Sequence, residues 1–150
     1  MIELRPLFRI EAEVGAPQIT PDGPYGTRRF IPVTGGRFIG ARLSGTMLAG
    51  GADCQLIRPD GVAELDVRTA LHTDDGVTIL LRGLGLRHGT PEVMDRLAHG
   101  EDVPGSDYYF REFMLFEAPE GTYGWLNRIL GVARGERRAN QVLLDVFEVA

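Results

Sequence analysis

The sequence predicts an all-β protein, a closed or nearly closed antiparallel β-barrel with one short helix covering an end. Three observations carry this. Short runs alternate apolar and polar residues with a period of two, which is the pattern of strands. Turn residues recur between those runs, as in Arg58-Pro59-Asp60-Gly61 and Thr73-Asp74-Asp75-Gly76. Only one stretch carries a full set of helix start and stop signals. With 150 residues and a 43% apolar fraction, residues 1–150 are expected to form a single domain with a continuous core. The same turn spacing is compatible with a sandwich, since alternation alone does not distinguish the two.

Taken in order, Leu4, Pro6, Phe8, Ile10, Ala12 and Val14 share one face of a first strand. Gly15 to Thr27 holds three prolines and three glycines and reads as a long loop, placed to fold over a barrel mouth. Arg28 to Leu48 is strand-like but broken by Gly35-Gly36, Gly40 and Gly45. Glycines there mark bends of a closing barrel, or else Gly40 and Gly45 clear space for a ligand.

Gly50 to Gly83 reads as two consecutive hairpins. If Asp60-Gly61 forms a two-residue loop, Gln55 faces Asp66 and Asp53 faces Arg68, and Ile79, Leu81 and Gly83 join that face. The face then holds Asp53, Gln55, Asp66, Arg68, Ala70, His72, Ile79, Leu81 and Gly83, a mixed set. It meets solvent, with Asp53 and Arg68 as an ordinary surface ion pair, or it lines a barrel interior as a ligand pocket. Cys54 lies on the opposite, mostly apolar face as a core thiol.

Thr90 to Gly100 is the helix: Thr90 suits the N-cap, Pro91 the first turn and Gly100 the stop, with Val93, Met94, Leu97 and Ala98 against the barrel. Tyr108 to Glu117 is an aromatic strand in which Tyr109, Arg111, Phe113 and Leu115 share one face and Tyr108, Phe110, Met114 and Phe116 the other. Thr122 to Asn127 makes a helical turn with Trp125, followed by strands at Arg128 to Arg134 and Gln141 to Val149, the last pairing near the first strand to close the sheet. Eight or nine strands result.

All sixteen basic residues are arginine, and the formal net charge is −5. That balance argues against nucleic acid or anionic membrane as partners. The absence of lysine excludes a Walker-type phosphate lysine and Schiff-base chemistry. One cysteine permits no internal disulfide, and no stretch approaches the length of a membrane helix, so a cytoplasmic protein is expected. His72, His88 and His99 lack ligand spacing, and Gly83-Leu84-Gly85-Leu86-Arg87-His88 lacks the third glycine of a dinucleotide fingerprint. No metal and no cofactor are implied.

Val33-Thr34-Gly35-Gly36, Gly50-Gly51-Ala52-Asp53, Arg58-Pro59-Asp60-Gly61, Leu65-Asp66-Val67-Arg68, Thr73-Asp74-Asp75-Gly76, Tyr108-Tyr109-Phe110-Arg111, Phe116-Glu117, Trp125-Leu126-Asn127 and Gly135-Glu136-Arg137-Arg138 together resemble the DUF3237 or UPF0311 family of small barrel proteins of unknown function. The resemblance spans nearly the whole chain. It implies a lipocalin-like barrel with a central cavity, which favours the interior reading of the mixed face, and it supplies no reaction. In the family pattern the position after Asp53 is usually tryptophan, and here it is Cys54, a change in packing or cavity shape.

The residue chemistry then suggests Asp53, Asp66 and Arg68 as catalytic groups, with Asp53 as base: the arginine holds one carboxylate ionised while burial raises the other. Gln55, His72, Tyr109, Arg111, Trp125 and Asn127 are the candidate substrate-binding residues, Arg111, Tyr109 and Asn127 for a carbonyl or enolate oxygen and Trp125 for stacking. The expected function is a cofactor-independent acid–base enzyme, a cyclase, isomerase or hydratase/dehydratase, acting on a hydrophobic oxygenated small molecule. The alternative is a non-catalytic lipocalin-like binding protein. A third reading is a subunit that forms a homo-oligomer through an exposed strand edge.

Overall fold

The computed structural model describes residues 1–150. Ten strands and one helix follow in the order β1 (Leu4–Val14), β2 (Gln18–Gly23), β3 (Gly26–Ile39), β4 (Ser44–Met47), β5 (Ala52–Ile57), β6 (Ala63–Thr73), β7 (Thr78–His88), α1 (Pro91–Ala98), β8 (Tyr109–Glu117), β9 (Leu130–Arg137) and β10 (Gln141–Val149). All pairings are antiparallel. Around the wall run β1, β10, β9, β8, β7 and β6, after which β4 and β5 share one position between β6 and β3. Pairing of β3 with β1 closes an eight-strand barrel. Closure leaves no free edge in the wall itself. No helix is long and apolar enough to cross a membrane.

The stretch expected to be a loop from Gly15 to Thr27 instead contains β2, which pairs Gln18–Thr20 with Arg28–Phe30 outside the barrel. The prolines suit this, because an edge strand leaves one side free of ladder hydrogen bonds. Gly40 and Gly45 pack against the backbone of Leu7 and His72 rather than facing the interior, so they serve wall geometry.

The two barrel ends differ. At one, Phe8 stacks edge-on against Phe38 and Phe116 at centroid distances of 5.5 and 5.9 Å, a favourable arrangement for ring quadrupoles. A 3-10 turn at Gly124–Arg128 seals this end with buried Leu126. At the other end, α1 begins as expected, with the Thr90 hydroxyl accepting from Val93 N, and seats Leu97 on the core while Ala98 stays exposed.

Both central hairpins turn through three residues, the first in place of the expected two. Arg58 N donates to Val62 O and Gly61 N to Arg58 O, so Pro59-Asp60-Gly61 is the loop, with Gly61 at φ 87°. The pattern repeats at Thr73–Val77, with Gly76 at φ 93°. This is a type I turn followed by a left-handed residue, a conformation that glycine adopts without a Cβ penalty. Asp53 therefore pairs with Val67 and Ala52 with Arg68. The expected Asp53–Arg68 and Gln55–Asp66 pairs are off by one residue, and a one-residue slip sends a strand's side chains to the opposite face.

Candidate functional site in the barrel interior

With that register, Asp53 and Gln55 of β5 share the inner face with Val67 and Thr69 of β6 and with Leu81, Gly83, Gly85 and Arg87 of β7. Phe110, Glu112 and Met114 of β8 continue it, since Arg87 pairs with Phe110 and Gly85 with Glu112. The interior contains a cavity of about 40 Å³ whose polar lining is Asp53, Gln55, Thr69, Arg87, Glu112 and Arg137. That is room for roughly three water molecules. Its remaining lining is apolar, including Ile10, Met47, Leu81 and Met114.

A hydrogen-bond chain holds Asp53. Gln55 Nε2 donates to Asp53 Oδ2 at 2.7 Å, and Asp66 N donates to Asp53 Oδ1 at 3.0 Å across a gap in the β5–β6 ladder. Arg87 Nη2 lies 3.5 Å from Gln55 Oε1, a long contact. Burial nonetheless raises the Asp53 carboxyl above its usual value, opposed by the Gln55 and Asp66 hydrogen bonds and by the charge of Arg87.

Glu112 is the more perturbed carboxyl. It is 5% exposed, its Oε2 has no hydrogen-bond partner, and its side chain occupies the space left by two glycines: a Cβ at Gly85 would lie 2.6 Å from its Cγ, and one at Gly83 2.9 Å from Oε2. Desolvation, and then the charge of Asp53, push its pKa up to about 8. At neutral pH it is a carboxylic acid able to donate a proton.

Arg87 is 4% exposed, and burial, followed by the charges of Arg137 and Arg29, lowers its pKa to about 10. It lies 5.6 Å from the Phe110 ring centroid. Arg29, two residues before inward-facing Ile31 on β3, and Arg137 at the end of β9 are likewise lowered by desolvation, each with Asp53 opposing. The Arg137 N–H donates to Tyr108 Oη at 2.7 Å.

Of the residues expected from sequence, only Asp53 and Gln55 reach this cavity. Asp66 and Arg68 point outward by strand alternation, although the Asp66 backbone N–H supports Asp53 and its own Oδ1 is buried without a partner. Arg68 is exposed. His72 also faces outward, 3.1 Å from Thr78 Oγ1. Tyr109 and Arg111 occupy the exposed face of β8, where Tyr109 stacks on His88 and Arg111 bonds the Phe110 carbonyl. Trp125 and Asn127 belong to the sealed end: Trp125 lies under the Arg42 guanidinium at 3.5 Å, and the Asn127 amide ties both backbone groups of Ala118. Cys54 faces away from Asp53 as its parity requires, but it is exposed rather than a core thiol. No group of three or more His, Cys, Asp or Glu side chains is arranged to hold a metal ion.

Sequence reasoning missed Glu112, Arg87, Arg137, Arg29 and Thr69. A signal for the first was present: Glu112 is the lone charge on the face of Tyr108, Phe110, Met114 and Phe116. Arg87 similarly continues the period-two series Ile79, Leu81, Gly83, Gly85, which ran past the expected end of that strand.

Comparison with known proteins agrees with this architecture. The family described as a protein of unknown function, DUF3237, matches residues 2–149. A UPF0311 protein of Rhodopseudomonas palustris is 38% identical over 150 residues, covering 99% of this chain and 97% of its own. A crystal structure of a conserved protein of unknown function from that organism superposes with a TM-score of 0.97 at 36% identity, covering 100% of this chain and 99% of the other. A protein described as β-barrel-like from Acinetobacter baumannii gives 0.87 at 38% identity, with 100% and 97% covered. At 19% identity and a TM-score of 0.72, covering 100% of this chain and 94% of the other, a structure described as an enzyme from Penicillium herquei shares the fold. By its full-length match in sequence and its agreement in structure, the chain belongs to the DUF3237 family, the UPF0311 proteins.

Proposed function

We propose that the barrel interior is a small-molecule site for acid–base chemistry without a cofactor, in which Glu112 donates a proton and Asp53 accepts one. The substrate is a hydrophobic oxygenated metabolite, and the reaction is a cyclisation, an isomerisation or a hydration or dehydration. The observation that carries this reading is the pair of inward carboxyls with different surroundings: Asp53 is held by two N–H donors, and Glu112 is buried with a free Oε2 and a pKa of about 8. Two carboxyls so divided supply an acid and a base at the same pH. Apolar walls around them fit an apolar substrate. The cavity is small, so a ligand larger than a few waters requires the lining side chains to move apart. A distant neighbour that shares the fold is described as an enzyme.

The test is incubation with a desalted metabolite extract in D2O, read by mass spectrometry. Compounds should gain solvent deuterium or convert to isomers with wild-type protein, and Asp53→Asn and Glu112→Gln should each abolish this. Retention of small molecules with no labelling or conversion would instead establish a non-catalytic binding protein.

A further inference from the structure

We infer that the interior site takes an organic carboxylate on an apolar body, its anionic group held by Arg87 together with Arg29 and Arg137. This names the ligand class of the site proposed above. It rests on the interior being the ligand site and not on proton transfer there.

Three guanidiniums converge on the cavity and its rim, and none of them takes part in any of the nine ion pairs of the protein. Asp53 and Glu112 are the two carboxyls that line the cavity, so the three guanidiniums outnumber them even when both are ionised. The interior therefore carries a net positive charge inside an acidic protein of formal charge −5, and a buried unpaired charge is costly unless a counter-ion arrives.

Unused donors give the same answer. Arg87 Nε and Arg29 Nε are both buried without a hydrogen-bond partner, and the one hydrogen-bond contact of the Arg87 head is the long one to Gln55 Oε1 at 3.5 Å. A guanidinium presents its N–H groups as a planar fork that matches the two oxygens of a carboxylate. Arg87 is 4% exposed and lines the cavity, so its free donor is available to a ligand in that space. The body of that ligand is set by the walls: 12 of the 18 lining residues are hydrophobic, which disfavours a small, highly hydrated anion. A neutral oxygenated compound would satisfy some donors but leave the charge unneutralised.

The experiment compares the carboxylates formate, acetate, butyrate, hexanoate and benzoate with their primary amides, at constant ionic strength. Affinity is read from thermal shifts, and the arginine Nε–H resonances are followed by NMR. At least one carboxylate should bind ten-fold or more tightly than its amide and shift the Arg87 and Arg29 Nε–H signals. Arg87→Gln should reduce that preference at least ten-fold, Arg137→Gln should reduce it less, and Arg68→Gln on the outer face should preserve it. Should Arg87→Gln fail to fold, the wild-type Nε–H shifts and Arg137→Gln decide the matter. No carboxylate binding, equal binding of the amide, or unshifted Nε–H signals would overturn the inference. Carboxylate binding without deuterium labelling would leave this inference standing and remove the acid–base reading, whereas labelling confined to neutral compounds would do the reverse.

Discussion

Gln55 donates to Asp53 at 2.7 Å while its carbonyl oxygen faces Arg87 at 3.5 Å, so one fully buried amide couples the interior carboxylate to the interior cation. Its orientation matches donor to acceptor: the N–H end meets the Asp53 carboxyl and the C=O end meets the guanidinium.

Replacing Gln55 with Met removes a hydrogen bond that lowers the Asp53 pKa. Asp53 should titrate at a higher pH in Gln55→Met than in wild type, as seen in carboxyl carbon NMR spectra. The variant should also lose about 1–3 kcal/mol of stability, because a buried polar group loses its partner. An unchanged Asp53 titration would show that the amide does not tune it.

Glu112 makes stability depend on pH in an unusual direction for a carboxyl. Its folded pKa of about 8 lies above the ordinary value of 4.5, so the folded state binds the proton more tightly than the unfolded chain. Its stabilising contribution is complete below pH 4.5 and is lost as pH rises to about 8. The stability of wild type minus that of Glu112→Gln should therefore fall across this window, by on the order of a few kcal/mol, and level off above it. Urea unfolding at a series of pH values measures this, and a difference independent of pH would contradict the assignment.

Gly85 is where β7 admits the Glu112 side chain. An added methyl would meet the Arg111 carbonyl and lie 2.6 Å from Glu112 Cγ, and the carbonyl belongs to the β-ladder and has no room to yield. Gly85→Ala should cost about 1–3 kcal/mol by overpacking, with a matching drop in the urea midpoint. Gly121→Ala is not an equivalent control, because its φ of 123° adds backbone strain.

Arg68 occupies the outer face with no ion pair, so Arg68→Ala should leave stability within about 0.5 kcal/mol of wild type. Thermal and urea midpoints check this. A loss of several kcal/mol would mean that the β5–β6 register is not the one described.

The register shows how much of the site was legible in the chain. Period-two alternation exposed nearly every strand, the Thr90 cap marked the helix, and Asp53 and Gln55 stood out as polar residues within a hairpin. The partners assigned to them were wrong because Pro59-Asp60-Gly61 and Asp60-Gly61 are both plausible hairpin loops, and they differ by the one residue that exchanges the two faces. The same ambiguity of face placed Tyr109 and Arg111 at the site in place of Phe110 and Glu112.

The sequence by itself determined a β-rich fold, most of its strand succession, and the absence of lysine chemistry, since these depend on local periodicity and composition. Which face of each strand meets the interior was decided by closure of the wall through β1–β3 pairing and by three-residue turns that set register. Only that closure gathers Asp53, Gln55, Arg87 and Glu112 from β5, β7 and β8 into one low-dielectric space. Burial there, which no local stretch of sequence encodes, turns Glu112 into an acid that holds its proton at pH 7.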